Sequence, residues 1–371
     1  MMMKRSLLIV FLIFLSCSLY AAEKEIKPRI DSGTAWYNAR EWTPCGQCWS
    51  VEPESHFTRI PLRFKNEVTP NVWGNARNSA GLFFRFDSDA AFVKVNFKLS
   101  SPSLSMTHMP ATGKSGLDLY AKKNGKWIWA GNTRPNKQED TAVLINGLSK
   151  KTREFMLYLP LYNGISELEI GVPEKAAFKW VAPDTSKWIA YYGTSIAHGG
   201  CASRPGLAFT AMLGRRLDIT VANLGFSGSA KMELPLAGLF ADLKPTLFVL
   251  DPLWNMNDKL VEERAIPFIQ KIRDKNPNTP ILLVEDSLSS NLGIRTDGEI
   301  KPSAKQNFYR AAFEHFKKTG DKNIYYLPYN NLLREDIDWD GTVDSCHMND
   351  LGMFRMSEAL EKAIRPILEK K

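Results

Sequence analysis

At 371 residues, 44% of them hydrophobic and 24% charged, the chain is long enough for two domains with a core each, and its balance excludes a disordered protein. The formal charge of +8 is scattered, with no Lys/Arg block and no nucleic-acid-binding motif, which argues against a nucleic-acid partner. Residues 1–22 read as a signal peptide: Lys4 and Arg5 precede an apolar run at 7–15, and small residues follow to Ala22. That run is too short for a transmembrane helix, so export to the periplasm or the exterior is expected. Phe14-Leu15-Ser16-Cys17 also resembles a lipoprotein box, which would make Cys17 a lipid anchor; both processing routes stay open. Loss of Lys4 and Arg5 with the signal lowers the charge to +6.

Residues 23–182 read as an all-β domain. Two alternating runs flank Asp87-Ser88-Asp89 within 81–100, and 117–129 holds a hairpin whose Asn124-Gly125 pair is a strong two-residue turn signal. Further strands are expected at 154–159 and 166–172, and this spacing predicts a sandwich of jelly-roll type. After Pro183-Asp184-Thr185 the periodicity changes. Strand-like runs at 189–192, 219–222, 247–250, 281–284 and 324–327 alternate with helix-like segments at 208–217, 260–274, 303–318 and 350–369. Five strands alternating with helices predict an α/β domain over 183–371, its parallel sheet covered on both faces.

The first of those strands runs into Gly193-Thr194-Ser195, leaving a serine hydroxyl at a strand's carboxyl end, where open α/β sheets bind ligands. A serine is a poor nucleophile until a base, an orienter for that base and oxyanion donors converge on it. Asp344-Ser345-Cys346-His347 supplies the first two: the spacing lets Asp344 fold back onto Nδ1 of His347 and leaves Nε2 for Ser195. The oxyanion donors expected are the Ser195 N–H, the Gly225 N–H in Asn223-Leu224-Gly225-Phe226-Ser227-Gly228, and the Asn255 carboxamide in Pro252-Leu253-Trp254-Asn255. His198, Arg204 and Trp254 are candidates for substrate contact, each with an ordinary structural role as its rival: local packing, a carboxylate partner, a place in the core. His56, His108 and His315 form no metal-ligand spacing with His198, so no metal and no cofactor are expected.

Four cysteines follow the signal region: Cys45, Cys48, Cys201 and Cys346. An even number in an exported chain permits two disulfides in three pairings. Cys45-Gly46-Gln47-Cys48 lacks the strand-to-helix setting of a redox pair and reads as a loop disulfide. A Cys201–Cys346 bridge would then tie the loop after Ser195 to the His347 loop.

The four chemistry-bearing pieces resemble the four blocks of the SGNH (GDSL-like) hydrolases. Ser115-Gly116-Leu117-Asp118-Leu119-Tyr120 resembles the Gly-x-Asp-Leu-Tyr signature of a β-domain that precedes them in exported esterases. Two positions depart from the pattern: Thr194 stands where many members have aspartate, and Asn255 lies outside a Gly-x-Asn-Asp block. The resemblance implies a flavodoxin-like α/β/α domain with a five-stranded parallel sheet and ester hydrolysis through an acyl-enzyme on Ser195. It implies acyl, chiefly acetyl, esters of polysaccharides or oligosaccharides as substrates. The alternatives are a lipid esterase of the platelet-activating-factor acetylhydrolase type and a carbohydrate-binding protein with a vestigial site. Acyl group, glycan and oligomeric state are not fixed at this level.

Overall fold

The computed structural model describes residues 27–296, 302–333 and 339–370, so the expected signal peptide and Cys17 lie outside the described residues. Ten strands form the first domain: β1 (Arg29–Asp31), β2 (Thr34–Asn38), β3 (Phe83–Ser88), β4 (Phe92–Leu99), β5 (Asp118–Lys123), β6 (Lys126–Asn132), β7 (Glu139–Asn146), β8 (Arg153–Tyr158), β9 (Ile165–Pro173) and β10 (Phe178–Val181). They pair antiparallel in two five-stranded sheets, β1-β2-β9-β4-β7 and β10-β3-β8-β5-β6. At the β5–β6 turn Asn124 and Gly125 take φ of 51° and 76°, the left-handed pair that a two-residue hairpin loop needs to follow the sheet twist. Two short helices lie in the connections. α1 (Pro70–Ala76) is capped by Thr69, whose hydroxyl accepts the Val72 N–H, and α2 (Ala111–Lys114) follows the β4 loop.

The period-two alternation of the second sheet serves two cores at once. Phe84, Phe86, Leu119, Phe155 and Leu157 point between the sheets, whereas Phe83, Tyr120, Met156 and Tyr158 point outward. These outward side chains share one core with Phe209, Ala211 and Met212 of the second domain.

The second domain is a parallel sheet of β11 (Trp188–Gly193), β12 (Thr220–Gly225), β13 (Leu247–Asp251), β14 (Ile281–Val284) and β15 (Ile324–Leu327), in the order β12-β11-β13-β14-β15. Its helices are α3 (Ser195–His198), α4 (Phe209–Leu217), α5 (Leu234–Ala241), α6 (Asp258–Lys275), α7 (Ala304–Lys318) and α8 (Asp350–Glu369). Alternation again divides each strand. Ile189 and Tyr191 face α4, α8 and the sandwich; Ala190 and Tyr192 face α5, α6 and α7. The result is a three-layer α/β/α domain of flavodoxin-like strand order. β11 lies at the point where that order reverses, so the loop leaving it opens on the crevice that such sheets use for ligands.

Candidate active site

β11 ends at Gly193 and the chain turns through Thr194 into α3. Thr194 is the N-cap: its hydroxyl accepts the Ile196 N–H at 3.4 Å, a weak bond that gives threonine a local reason to stand there. Ser195 follows at the first helical position, 8% exposed, with Oγ 2.8 Å from Nε2 of His347. Its carbonyl is held by the Gly199 and Gly200 N–H groups and by the Tyr162 hydroxyl, at 3.1, 3.0 and 3.1 Å.

His347 stands at the end of a tight loop before α8. Asp344 Oδ1 accepts the Cys346 and His347 N–H groups at 3.1 and 2.7 Å, and Oδ2 lies 2.7 Å from Nδ1 of the His347 ring. Ser345 makes the turn with φ of 70°. Burial alone would raise the Asp344 carboxyl; the donors converging on it outweigh that and hold it below its ordinary 3.8. An ionised Asp344 keeps the ring proton on Nδ1, so Nε2 presents its lone pair to the serine hydroxyl.

The glycine expected to donate to an oxyanion does not. The Gly225 N–H is spent on Asn223 Oδ1 at 2.9 Å, and a Cβ at Gly225 would stand 2.3 Å from the His198 nitrogen. This glycine permits the close approach of α3 to β12. Further along the same loop Gly228 takes φ of 66° with open space around it, and among the described residues no acceptor takes its N–H. Asn255, in the turn after β13, borders this loop with Nδ2 3.3 Å from the Phe226 carbonyl. The Phe226 N–H donates to the Gly193 carbonyl at 2.9 Å, so the loop starts beside the turn that carries Ser195. The signal for Gly228 was the small-residue run Ser227-Gly228-Ser229 beyond the strand end.

Of the three substrate-contact candidates, two are committed elsewhere. His198 is fully buried, donates Nε2–H to the Leu161 carbonyl at 2.8 Å and stacks on Tyr162. Burial, with the Arg59 guanidinium alongside, holds it well below 6.5, so it is a neutral interior group. Arg204 donates to Asp118 and to the Tyr120 hydroxyl at 2.7 and 2.6 Å. Trp254, partly exposed beside Asn255, makes no such side-chain hydrogen bond among the described residues. A residue that sequence reasoning passed over stands closer: His108, exposed on the loop between β4 and α2, has its ring 5.9 Å from that of His347. Buried Met109 and the bond from the Thr112 hydroxyl to the Ser203 carbonyl, 2.6 Å, fix that loop against the second domain.

The Gly-x-Asp-Leu-Tyr signature is thereby explained as a clasp between domains. Asp118 is fully buried and accepts from Arg204, the Gly206 N–H and the Trp129 ring N–H. Burial pushes its carboxyl up, and Arg204 draws it back only in part. Asp118→Ala would strand the Arg204 cation and the Gly206 N–H at the interface. A loss of about 3 kcal/mol is expected, read as a lower urea midpoint; an unchanged midpoint would refute the clasp.

Neither expected disulfide is present: all four described cysteines are free. Cys45 pairs with Phe83 through the backbone and packs in the core shared by the domains, whereas Cys48, beyond the left-handed turn at Gly46, packs against the core on the other side of the parallel sheet. Burial pushes the Cys45 and Cys201 thiols up to about 12, which keeps them protonated. The work assigned to a Cys201–Cys346 bridge is done by hydrogen bonds: the Cys201 N–H to the Met348 carbonyl at 3.0 Å, and Ser203 to Asp350 through N–H and hydroxyl at 2.9 and 2.6 Å. Among the described residues no group of three His, Cys, Asp or Glu is placed to hold a metal ion, and no helix is long and apolar enough to cross a membrane.

Two family profiles match the chain: the GDSL-like lipase/acylhydrolase family over residues 186–365, and the N-terminus of SGNH-type esterases, named GxDLY, over residues 34–178. No curated protein matches. Among solved structures, a chain from Bacteroides ovatus assigned to the GDSL-like lipases is 30% identical, with a TM-score of 0.85 over 91% of this chain and 99% of that one. A salicylyl-acyltransferase from a tetracycline biosynthetic pathway has 18% identity and a TM-score of 0.72, covering 92% and 97% of the two chains. An acetyl xylan esterase from the rumen bacterium Butyrivibrio proteoclasticus has 13% identity and a TM-score of 0.55, covering 78% and 91%. The last two show the fold alone. With one relative at 30% identity along nearly its whole length and both domains matched by profile, the chain belongs to the GDSL-like lipase/acylhydrolase family, as a two-domain carboxylic ester hydrolase of the SGNH type.

Proposed function

We propose that this hydrolase removes acetyl groups from polysaccharides or oligosaccharides, with Ser195, His347 and Asp344 as its catalytic triad. The observation that carries the reading is the continuous hydrogen-bond chain from Asp344 through His347 to Ser195, at 2.7 and 2.8 Å. In the first half-reaction Ser195 Oγ attacks the ester carbonyl and His347 Nε2 takes its proton. Asp344 steadies the imidazolium, and the proton then passes to the leaving alkoxide. Water repeats the sequence on the acyl-enzyme and releases acetate. The oxyanion is met by the Ser195 N–H, the Gly228 N–H and the Asn255 amide, each such donor contributing ~3–4 kcal/mol to the transition state.

Two features favour a small acyl group on a bulky alcohol. The His347 and Asp344 side chains are 26% and 43% exposed, so the leaving-group side of the site lies open at the surface. His108 borders it with a ring suited to hydroxyls. The acetyl xylan esterase that shares the fold supports the same substrate class. Export follows from the charge and hydropathy pattern of residues 4–22, and the mass of the processed N-terminus distinguishes cleavage near Ala22 from lipidation at Cys17.

The test is hydrolysis of para-nitrophenyl acetate, butyrate and octanoate, with acetate release from acetylated xylan measured in parallel. The expected result is at least a roughly tenfold preference in kcat/KM for acetate over octanoate, together with glycan deacetylation. Preference for octanoate would move the substrate to lipids. A folded protein inert on every ester would sink the triad reading.

A further inference from the structure

The loop that carries Gly228 is gripped by the first domain. Asn75, on α1, donates Nδ2 to the Ser227 carbonyl at 3.1 Å while also binding the Asn71 carbonyl at 2.8 Å. Beneath it lies Arg59, 2% exposed. Its Nη1 donates to the Gly225 and Asn223 carbonyls at 2.5 and 3.2 Å, and its Nη2 to the Asn75 carbonyl at 2.6 Å. The guanidinium also lies over the Phe226 ring at 5.2 Å. Among the described residues no carboxylate pairs with Arg59; its protons go to the Asn75, Asn78, Asn223 and Gly225 carbonyls and the Asn223 side chain, two of these residues closing β12 where the loop begins. A cation placed so deep without an anion is an expensive way to hold a loop, which marks the shape of that loop as the thing being held.

The geometry of one peptide explains why. In a trans peptide the C=O and N–H point in opposite directions. The Ser227 carbonyl is tied toward α1, so the N–H of the same peptide, that of Gly228, is aimed the opposite way, away from α1, and among the described residues no acceptor takes it. Gly228 sits at a left-handed φ where glycine meets little resistance to rotation, so the plane of this peptide is set by what holds the Ser227 carbonyl. The Ser229 hydroxyl does so from within the loop at 3.2 Å, and Asn75 adds the hold from the first domain.

We propose that Asn75, backed by Arg59, is a positioning residue for ester hydrolysis: the β-domain sets the plane of the Ser227–Gly228 peptide and thereby aims an oxyanion donor of the other domain. The proposal rests on the triad reading above and on Gly228 as a donor. It is tested in the full chain with Asn75→Ala and Asn75→Asp, the second nearly isosteric but unable to donate. For para-nitrophenyl acetate both should lower kcat about 10- to 100-fold with KM within about threefold, since the contact acts on the transition state. Inactivation by a para-nitrophenyl phosphonate, whose phosphoryl oxygen needs the same donors, should slow in parallel, while the pH profile and thermal midpoint stay at wild type. Wild-type kcat in a folded variant of either kind overturns the proposal. So does a loss that comes with a changed pH profile or a lowered midpoint, the marks of a general structural role. Ser195→Ala in the same assay separates the two readings: activity retained there overturns the triad itself, whereas an inert Ser195→Ala beside unaffected Asn75 variants overturns only the positioning role.

Discussion

Ser195→Ala is expected to lower kcat for para-nitrophenyl acetate about 10⁴- to 10⁶-fold while KM stays within about threefold, because nucleophile and base act as a unit and losing either forfeits nearly all they achieve together. What remains is the catalysis that binding and the oxyanion donors supply without a nucleophile. The fold should not suffer. Among the described residues the Oγ of Ser195 has one partner, Nε2 of His347, and the serine's backbone bonds to Gly199, Gly200 and Tyr162 survive the change. A wild-type burst of para-nitrophenol, absent from the variant, would check the acyl-enzyme directly. A well-folded variant keeping more than about 1% of activity would mean that the ester is opened by some other group.

Asp344→Asn is expected to cost about 10²- to 10⁴-fold in kcat with little change in stability. The carboxylate accepts three hydrogen bonds, two from backbone N–H groups through Oδ1 and one from the His347 ring through Oδ2. Asparagine has one acceptor oxygen. If that oxygen stays with the backbone, the amide NH₂ faces Nδ1 and favours the tautomer whose Nε2 is protonated, which cannot take the serine proton. The opposite orientation sets NH₂ against two N–H groups and loosens the loop. The pH dependence has a definite sign. Because Asp344 is held below 3.8, its contribution is present above that value and is lost only as pH falls through the depressed one. Between about pH 5 and 8 the wild-type carboxylate does not titrate, so the variant should be slower by the same factor across that window. A deficit that vanishes at one end of it would refute the assignment of Asp344 as orienter.

The parts of this fold that could be read in advance are those whose pattern is local. Runs such as 189–192 and 281–284 are apolar on every residue because both faces are covered, and they sit between helices of clear amphipathic period. Asp344 and His347 meet within one loop, so spacing alone brings their side chains together. Helix α5 escaped notice because Leu-Pro-Leu-Ala-Gly-Leu-Phe-Ala is apolar nearly all round; a buried helix has no polar face to mark its period. Gly225 and Gly228 cannot be separated by residue type. What distinguishes them is Asn223, whose side chain curls back to take one of the two N–H groups. Arg204 offered no hint that Asp118, 86 residues earlier, waits for it across an interface. The free cysteines have the same kind of cause: an even count permits bridges, but Gly46 sends Cys45 and Cys48 into different cores. Long-range partnership, rather than element type, is where pattern reading stops.

The sheet β10-β3-β8-β5-β6, which packs into a core on each side, bears on how such proteins change over time. A module with one greasy and one wet face can be swapped between genes like a bead on a string. This one cannot: Phe83, Tyr120, Met156 and Tyr158 would be bare in any new setting, and so would the α4 wall that they cover. The two halves must be inherited, and transplanted by any engineer, as a matched pair. New specificity is then to be sought at exposed positions such as His108, whose ring lies beside that of His347, while its neighbours Met109 and Thr112 stay with the seam.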